Sequence, residues 1–467
     1  MYRFRISISL TSLALCFFLS GCLTPNGAST PKPLRIFSNG EVLIGSQPST
    51  SAQALQDLRR KYRASLIGTL LPGVERWRVS GDPETLSKQL FAEPQLRYAQ
   101  PNYSRRVHGA PIPEDGDLST HQWHLMSDSS NFEAAWADPD FAGATKDEPP
   151  GSGVVVAVVD SGVDVHHPDL EANIVKDLAG NPIFIDEVGS DLYGDRDFTG
   201  KDGCGHGTHV AGLIAAVAYN NPTFQQGPSG NIVGGAPGAK ILPVKVVNYE
   251  GDAGEGGDFV IAKGIKDAVD WRGVHGEKVK IINLSIGGPN PAPVLADVLA
   301  YACEHDVLMV ISAGNKGEVA GSDFVEYPAA YAGAVAVGAT TPGNRRAAYS
   351  CKGLELAIVA PGGGSHRDKI FSTLPTEPCF YSLSEGEPLN FGYLSGTSMA
   401  APLVSAAAAL VVAQAKILNQ TLTPAQIRTR LVATATDLGN PGFDEDYGYG
   451  LLDAARALAW TSHSGRK

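Results

Sequence analysis

The chain has 467 residues and a net charge of −12, from 37 Lys and Arg against 49 Asp and Glu, and only 18% of it is charged. So few cations argue against a nucleic-acid binder, whose affinity rests on Lys and Arg. The 53 glycines follow no period of three, which excludes a collagen-like chain. With 43% apolar residues there is material for a sizeable core. The charge is laid unevenly: residues 1–107 carry 14 Lys/Arg and 6 Asp/Glu, a net of +8, and residues 108–467 carry 23 and 43, a net of −20. Such an asymmetry hints at two units that meet.

The chain opens Met1-Tyr2-Arg3-Phe4-Arg5 and continues with an apolar run from Ile6 to Leu19. Two arginines before a run shorter than the ~20 residues of a membrane span read as a secretory leader, residues 1–21. The run ends Leu19-Ser20-Gly21-Cys22, which resembles a bacterial lipobox, so Cys22 is expected to carry a lipid anchor to a membrane. Residues 22–33, rich in Pro, Ser, Thr and Gly, read as a tether.

Residues 34–107 read as a small α+β unit. It has a strand at Glu41–Gly45, a helix at Ala52–Tyr62, strands at Ala64–Leu71 and Val74–Val79, a helix at Pro83–Phe91 and a strand at Leu96–Gln100. That βαββαβ order suits a ferredoxin-like fold. Residues 108–121 are a polar linker, and from 122 to 467 apolar runs, Gly-rich turns and helical stretches alternate. Strands are expected at Val154–Val159, Lys240–Val247, Val279–Leu284, Val307–Ile311, Ala334–Val337 and Ile358–Ala360. Helices are expected at His209–Ala218, Phe259–Trp271, Pro293–His305 and Ser398–Ile417. Unbroken apolar runs mark strands buried on both faces, so the fold class is α/β: a doubly wound, mostly parallel sheet flanked by helices. Pro402 is placed in the first turn of its helix, where a proline is tolerated.

Once the leader and Cys22 are set aside, Cys204, Cys303, Cys351 and Cys379 remain. Export permits disulfides, and four cysteines allow three pairings. Cys351–Cys379 is the pair expected first, and Cys303, in an apolar helical stretch, reads equally well as a buried free thiol. With no CxxC, a zinc site is not expected.

Three segments carry polar residues where a strand ends or a helix begins. Asp160 ends the apolar run Val155–Val159 and precedes Ser161-Gly162, and a carboxylate there is costly without donors around it. His206 stands between two glycines in Asp202-Gly203-Cys204-Gly205-His206-Gly207-Thr208-His209, with room for a partner to approach its imidazole. Ser398, in Gly396-Thr397-Ser398-Met399-Ala400-Ala401-Pro402, opens an Ala-rich helix whose N-terminal N–H groups favour developing negative charge. Each residue alone also reads as a cap or turn residue.

Together and in this order the three segments resemble the motifs of the subtilisin-like serine peptidases (subtilases), over about Gln122 to Trp460 and including Gly448–Ala454 near the end. The resemblance implies an exported serine endopeptidase acting on proteins or peptides. Asp160 would orient His206, His206 would serve as base and then acid, and Ser398 would be the nucleophile. Asn315, in Ala313-Gly314-Asn315, would be the oxyanion donor. Ser285, Ile286 and Gly287 would pair with an extended substrate. Ala313 and Gly314 would wall the S1 pocket, with Glu326 near its floor, biasing it toward Lys or Arg. No cofactor is implied for catalysis. Structural calcium is implied at Asp169, with the other ligands on the loop Tyr219–Val233. Two insertions, around Ile183–Thr199 and Thr376–Asn390, set the chain apart.

Residues 34–107 would then be a propeptide, a folding assistant and inhibitor whose tail lies in the cleft, with self-cleavage between Asn102 and Gly116. The protein would be a monomer whose partners are substrate, its own propeptide and, through Cys22, a membrane. It would lie in the cell envelope or, once matured, outside the cell. Two other readings use the same residues: a peptide ligase or macrocyclase, and a non-catalytic binding lipoprotein on this fold.

Overall fold

The computed structural model describes residues 37–103, 106–107, 122–141, 144–145, 147–188, 200–217, 232–251, 253, 257–365, 368–384 and 386–459. The leader, Cys22, the tether, the linker 108–121 and most of the loop from Tyr219 lie outside them.

The first unit is built from β1 (Phe37–Ser46), α1 (Ala52–Lys61), β2 (Ser65–Leu71), β3 (Val74–Arg78), α2 (Pro83–Phe91) and β4 (Leu96–Tyr103). Both helices begin at side-chain caps: Ser51 accepts the Ala54 N–H and Asp82 accepts the Thr85 N–H. The strands form one antiparallel sheet in the order β2-β3-β1-β4, the expected ferredoxin-like arrangement. One sheet face packs on its two helices around Val42, Ile44, Leu55, Leu58, Trp77 and Leu90. The other face, with Leu43, Leu70, Val74 and Tyr98, joins the core of the larger unit. Beyond it lies the two-residue strand β5 (Arg106–Val107).

The larger unit runs α3 (Phe132–Trp136), β6 (Val155–Asp160), β7 (Ile185–Asp186), α4 (His206–Ala215), β8 (Lys240–Lys245), α5 (Gly257–Asp270), β9 (Val279–Leu284), β10 (Ile286–Gly287), α6 (Pro293–Glu304) and β11 (Leu308–Ser312). It continues β12 (Ala334–Thr340), β13 (Leu356–Pro361), β14 (Ile370–Thr373), α7 (Phe380–Ser384), β15 (Phe391–Leu394), α8 (Thr397–Ile417), α9 (Pro424–Thr434) and α10 (Ala454–Ala459). Seven strands form one parallel sheet in the order β13-β12-β11-β9-β6-β8-β7. Along β6 the side chains alternate between two cores: Val156 and Val158 face the one that holds α4 and α8, Val155, Ala157 and Val159 the one that holds α5 and α6. Burial on both faces accounts for the unbroken apolar runs in the sequence. Helix α8 is long and apolar enough to cross a membrane, but it is enclosed by the fold.

Three expectations are corrected. Pro402 is the sixth residue of α8, not in its first turn, because the helix starts at Thr397. Cys351 and Cys379 are free thiols in the two separate cores, with the parallel sheet between them. Cys303 is also free but exposed, on the outer side of α6. The helices α9 and α10 and the hairpin β14–β15 were not foreseen from the sequence.

His124 is completely buried, and neither ring nitrogen has a hydrogen-bond partner among the described residues. Burial alone pushes its pKa from 6.5 down to about 3. The folded state therefore keeps the ring neutral while the unfolded chain takes up a proton below pH ~6.5, so stability falls as pH drops from there toward 3. His124→Leu should flatten the dependence of unfolding free energy on pH between 4 and 6.5, by up to ~1.4 kcal/mol per pH unit. Denaturant titrations across that range test it, and an unchanged slope refutes it.

Candidate active site

Asp160 is the last residue of β6, and its side chain is fully buried. Its Oδ1 accepts the Ser161 N–H at 2.8 Å and meets His206 Nδ1 at 2.8 Å. His206, also fully buried, is the first residue of α4, whose N-cap Gly205 takes a left-handed conformation. The next residue admits only glycine, because a Cβ on Gly207 would collide with the Gly162 carbonyl and crowd Asp160. With Nδ1 on the carboxylate, His206 presents Nε2, which has no hydrogen-bond partner among the described residues.

Ser398 is the second residue of α8, which packs against α4. Its Oγ donates to the Ser285 carbonyl at 3.2 Å, so in this rotamer it is not bonded to His206. Such looseness between nucleophile and base is common before substrate binds. Pro402 has no N–H for the Ser398 carbonyl, four residues back, and Ser285 Oγ donates to that carbonyl instead at 3.1 Å. Asn283 Nδ2 in turn donates to Ser285 Oγ at 3.1 Å, and Ser405 Oγ to Asn283 Oδ1 at 2.9 Å. A buried polar chain thus ties α8 to β9.

Asn315 follows β11 through Gly314, whose φ of +110° belongs to glycine. Its Oδ1 accepts the Thr397 N–H and Oγ1–H, each at 2.9 Å. That fixes the sense of the amide: Oδ1 faces the α8 terminus, and the Nδ2 donors lie on the other side. The sequence motif gave no role to Thr397, although it is the residue that orients Asn315.

Of the edge segment Ser285, Ile286 and Gly287, the last two pair with the segment that follows the first unit: β10 and β5 run antiparallel, Ile286 opposite Val107 and Gly287 opposite Arg106. Ala313 is buried beside Gly314. Glu326, 2% exposed, lies against Gly314, where an added Cβ would meet its Cγ at 2.8 Å and its carboxyl group at 2.9–3.0 Å. Lys316 Nζ stands 3.1 Å from Glu326 Oε1. The sequence reading found Glu326 but missed this partner.

The calcium expectation gains no support. Asp169 is buried with its Oδ2 accepting the Ile232 N–H at 3.1 Å, and the described residues contain no cluster of three or more His, Cys, Asp or Glu able to hold an ion. The loop expected to bring the other ligands lies mostly outside the described residues.

The family model of the subtilases, "Subtilase family", matches residues 151–450. The chain belongs to the subtilase family. It is 39% identical over 307 residues to subtilisin Savinase of Lederbergia lenta, across 66% of this chain and 91% of that protein. It is 36% identical over 307 residues to subtilisin E of Bacillus subtilis, across 66% of each chain. Among solved structures, fervidolysin of Fervidobacterium pennivorans, described as a keratinolytic enzyme related to subtilisin, superimposes with a TM-score of 0.67 at 28% identity. That match covers 91% of this chain and 61% of fervidolysin. The chain thus spans about two thirds of the length of several relatives.

Gly207→Ala drives a methyl group into the backbone that carries Asp160. It should cost ~1–3 kcal/mol of stability and sharply reduce Ser398-dependent labelling by a fluorophosphonate probe. Full labelling with an unchanged melting temperature would show that the turn has room.

Proposed function

We propose that this subtilase is a serine endopeptidase, exported as a lipoprotein zymogen. The observation that carries the reading is the buried 2.8 Å contact of Asp160 with His206 in a chain whose family hydrolyses peptide bonds by this pair and a serine. In the proposed reaction Ser398 Oγ attacks the scissile carbonyl as its proton passes to His206 Nε2. Asp160 holds the ring and the imidazolium charge, and the proton then goes to the leaving amine. The resulting acyl-enzyme is hydrolysed by water along the reverse path. Asn315 Nδ2 and the Ser398 N–H at the α8 terminus receive the oxyanion. This chemistry needs no cofactor. The four intact groups speak against a binding-only role, and no observation favours a ligase.

Residues 34–107 act in this reading as the propeptide. The support is the strand it adds at Ile286–Gly287, where a substrate would lie, and its grip on two helices of the larger unit. Asn102 Oδ1 accepts the Phe259 N–H at 3.0 Å and Gln100 Oε1 the Val294 N–H at 3.3 Å, so β4 caps the first turns of α5 and α6. Arg97 holds Asp297 through two bonds of 3.1 and 2.9 Å. Cleavage after this unit would free the enzyme from the anchor on Cys22, so maturation would also be release.

One experiment tests both parts. Wild type should give a fluorophosphonate-labelled, shortened, soluble form, and Ser398→Ala an unlabelled full-length form that stays with the membrane. Asn315→Ala should lower kcat by about 10²–10³, the loss known for the oxyanion asparagine of subtilisin. Labelling that survives Ser398→Ala sinks the enzyme reading, and mature protein found only on membranes sinks release.

The S1 reading is sharpened by Lys316. Its pairing with Glu326 offsets the charge that a basic P1 residue would meet, so Lys316→Ala should raise the ratio of kcat/KM for Arg over Leu at P1 and Glu326→Gln, which leaves the lysine unpaired, should lower it. If neither variant moves the ratio, Glu326 is not in the pocket.

A further inference from the structure

One charge next to the site has no part in the mechanism above. Asp202, 2% exposed, lies four residues before His206. Its Oδ1 accepts Ser161 Oγ at 2.8 Å and the Gly205 N–H at 2.7 Å, and its Oδ2 accepts the Thr208 N–H at 2.8 Å and Thr208 Oγ1 at 2.6 Å. The direction of these bonds is fixed by what each hydroxyl receives. Ser161 Oγ accepts the Gly207 N–H at 2.9 Å and Thr208 Oγ1 the Asp164 N–H at 2.9 Å, so both hydroxyl protons are left to point at Asp202. Four donors and no acceptor describe an ionised carboxylate. Burial raises its pKa above the ordinary carboxylate value, and the four hydrogen bonds, which favour the ionised form, work against that rise.

The donors flank the Asp160–His206 pair. Ser161 follows Asp160 and also donates its N–H to it. Gly205 and Thr208 bracket His206. The other titratable groups near the pair are Cys204, Cys379 from the second insertion, and Tyr381 on α7, each kept neutral by burial, and His209 on α4, whose pKa burial lowers to about 3. The buried Lys245 at the end of β8 donates to the Lys201 carbonyl, and Lys201 pairs with Glu377 at the surface. Asp164, half-buried, turns its carboxylate to the Thr376 N–H and hydroxyl, which leaves Asp202 as the fully buried carboxylate behind the Asp160–His206 pair.

We propose that Asp202 is a positioning residue for the subtilase reaction: an ionised carboxylate that locks Asp160 and His206 into one geometry from behind and adds to the field that stabilises the imidazolium. The inference rests on the reading of Asp160, His206 and Ser398 as the catalytic groups.

Asp202→Asn, in the full-length chain, keeps the size but turns an amide N–H toward donors. It should lower kcat roughly 10- to 100-fold with KM within about twofold. Removing a negative charge disfavours the imidazolium, so the acidic limb of kcat/KM should move to lower pH. Rates are read well below the melting temperature of each variant. A lower melting temperature with kcat and the acidic limb in place makes Asp202 purely structural and overturns the proposal. If Asp202→Asn does not fold, Ser161→Ala deletes one of the four donors and should still lower kcat, and an unchanged kcat there overturns the proposal equally. Wild type without Ser398-dependent hydrolysis would instead overturn the catalytic reading, and this inference with it.

Discussion

A carboxylate at the tip of a strand buried on both faces is the constraint around which this fold is arranged. Asp160 is taken out of water, at a cost of several kcal/mol for an uncompensated ion, and the compensation among the described residues falls on its Oδ1, while Oδ2 has no hydrogen-bond partner among them. The Ser161 N–H and His206 Nδ1 bond to it directly. Geometry then propagates outward. His206 must open a helix to reach Asp160, and the residue after it must lack a side chain. Helix α8 must lie against α4 for Ser398 to approach from the far side. Strand β6, between β8 and β9 in the sheet, is the rigid support that makes such tolerances possible.

The amino-terminal unit solves a different problem of unpaired groups. Helix α6 starts at Ala292, which has no side chain able to cap it. The amide side chain of Gln100 supplies that cap from another unit, as Asn102 does for α5. Asn102 is itself held by Glu41, which also takes Arg76 through two bonds, and the Arg76 guanidinium lies 5.0 Å over the ring of Phe259. A folding assistant is expected to act in this way, finishing helix ends that the larger unit leaves open. Most of the +8 on residues 1–107 lies outside the amino-terminal unit, since residues 37–103 carry 8 Lys/Arg and 6 Asp/Glu, a net of +2. Among the described residues one ion pair, Arg97–Asp297, crosses between the units.

Much of this was legible in the sequence, for identifiable reasons. The parallel strands showed as unbroken apolar runs because both faces are covered, and β9 was read to the residue. The polar residues Asp160, His206 and Ser398 showed because they end or begin elements where an apolar residue is expected. What failed was whatever depends on partners distant in sequence. The Cys351–Cys379 pairing failed because chain order does not tell on which side of a sheet a thiol falls. Asp202 stood within a quoted motif yet revealed no role, since its significance lies in Ser161, 41 residues away. Lys316 was missed because its partner, Glu326, lies across a turn.

Pro402 shows how one misplaced residue connects to chemistry. In a first turn it would have been neutral. In the second turn it strips the Ser398 carbonyl of its helical partner, and a buried carbonyl left bare costs ~1–3 kcal/mol. Ser285 Oγ makes good the loss. Ser285 also offers its own carbonyl to Ser398 Oγ and leads directly into the edge strand Ile286–Gly287. The residue that repairs the helix therefore also accepts the Ser398 hydroxyl and leads into the strand that pairs with residues 106–107. The proline in α8 thus does more than bend a helix: by freeing one carbonyl it couples the position of Ser398 to the edge now covered by residues 106–107. Two hydrogen bonds through Ser285 join Ser398 to that edge.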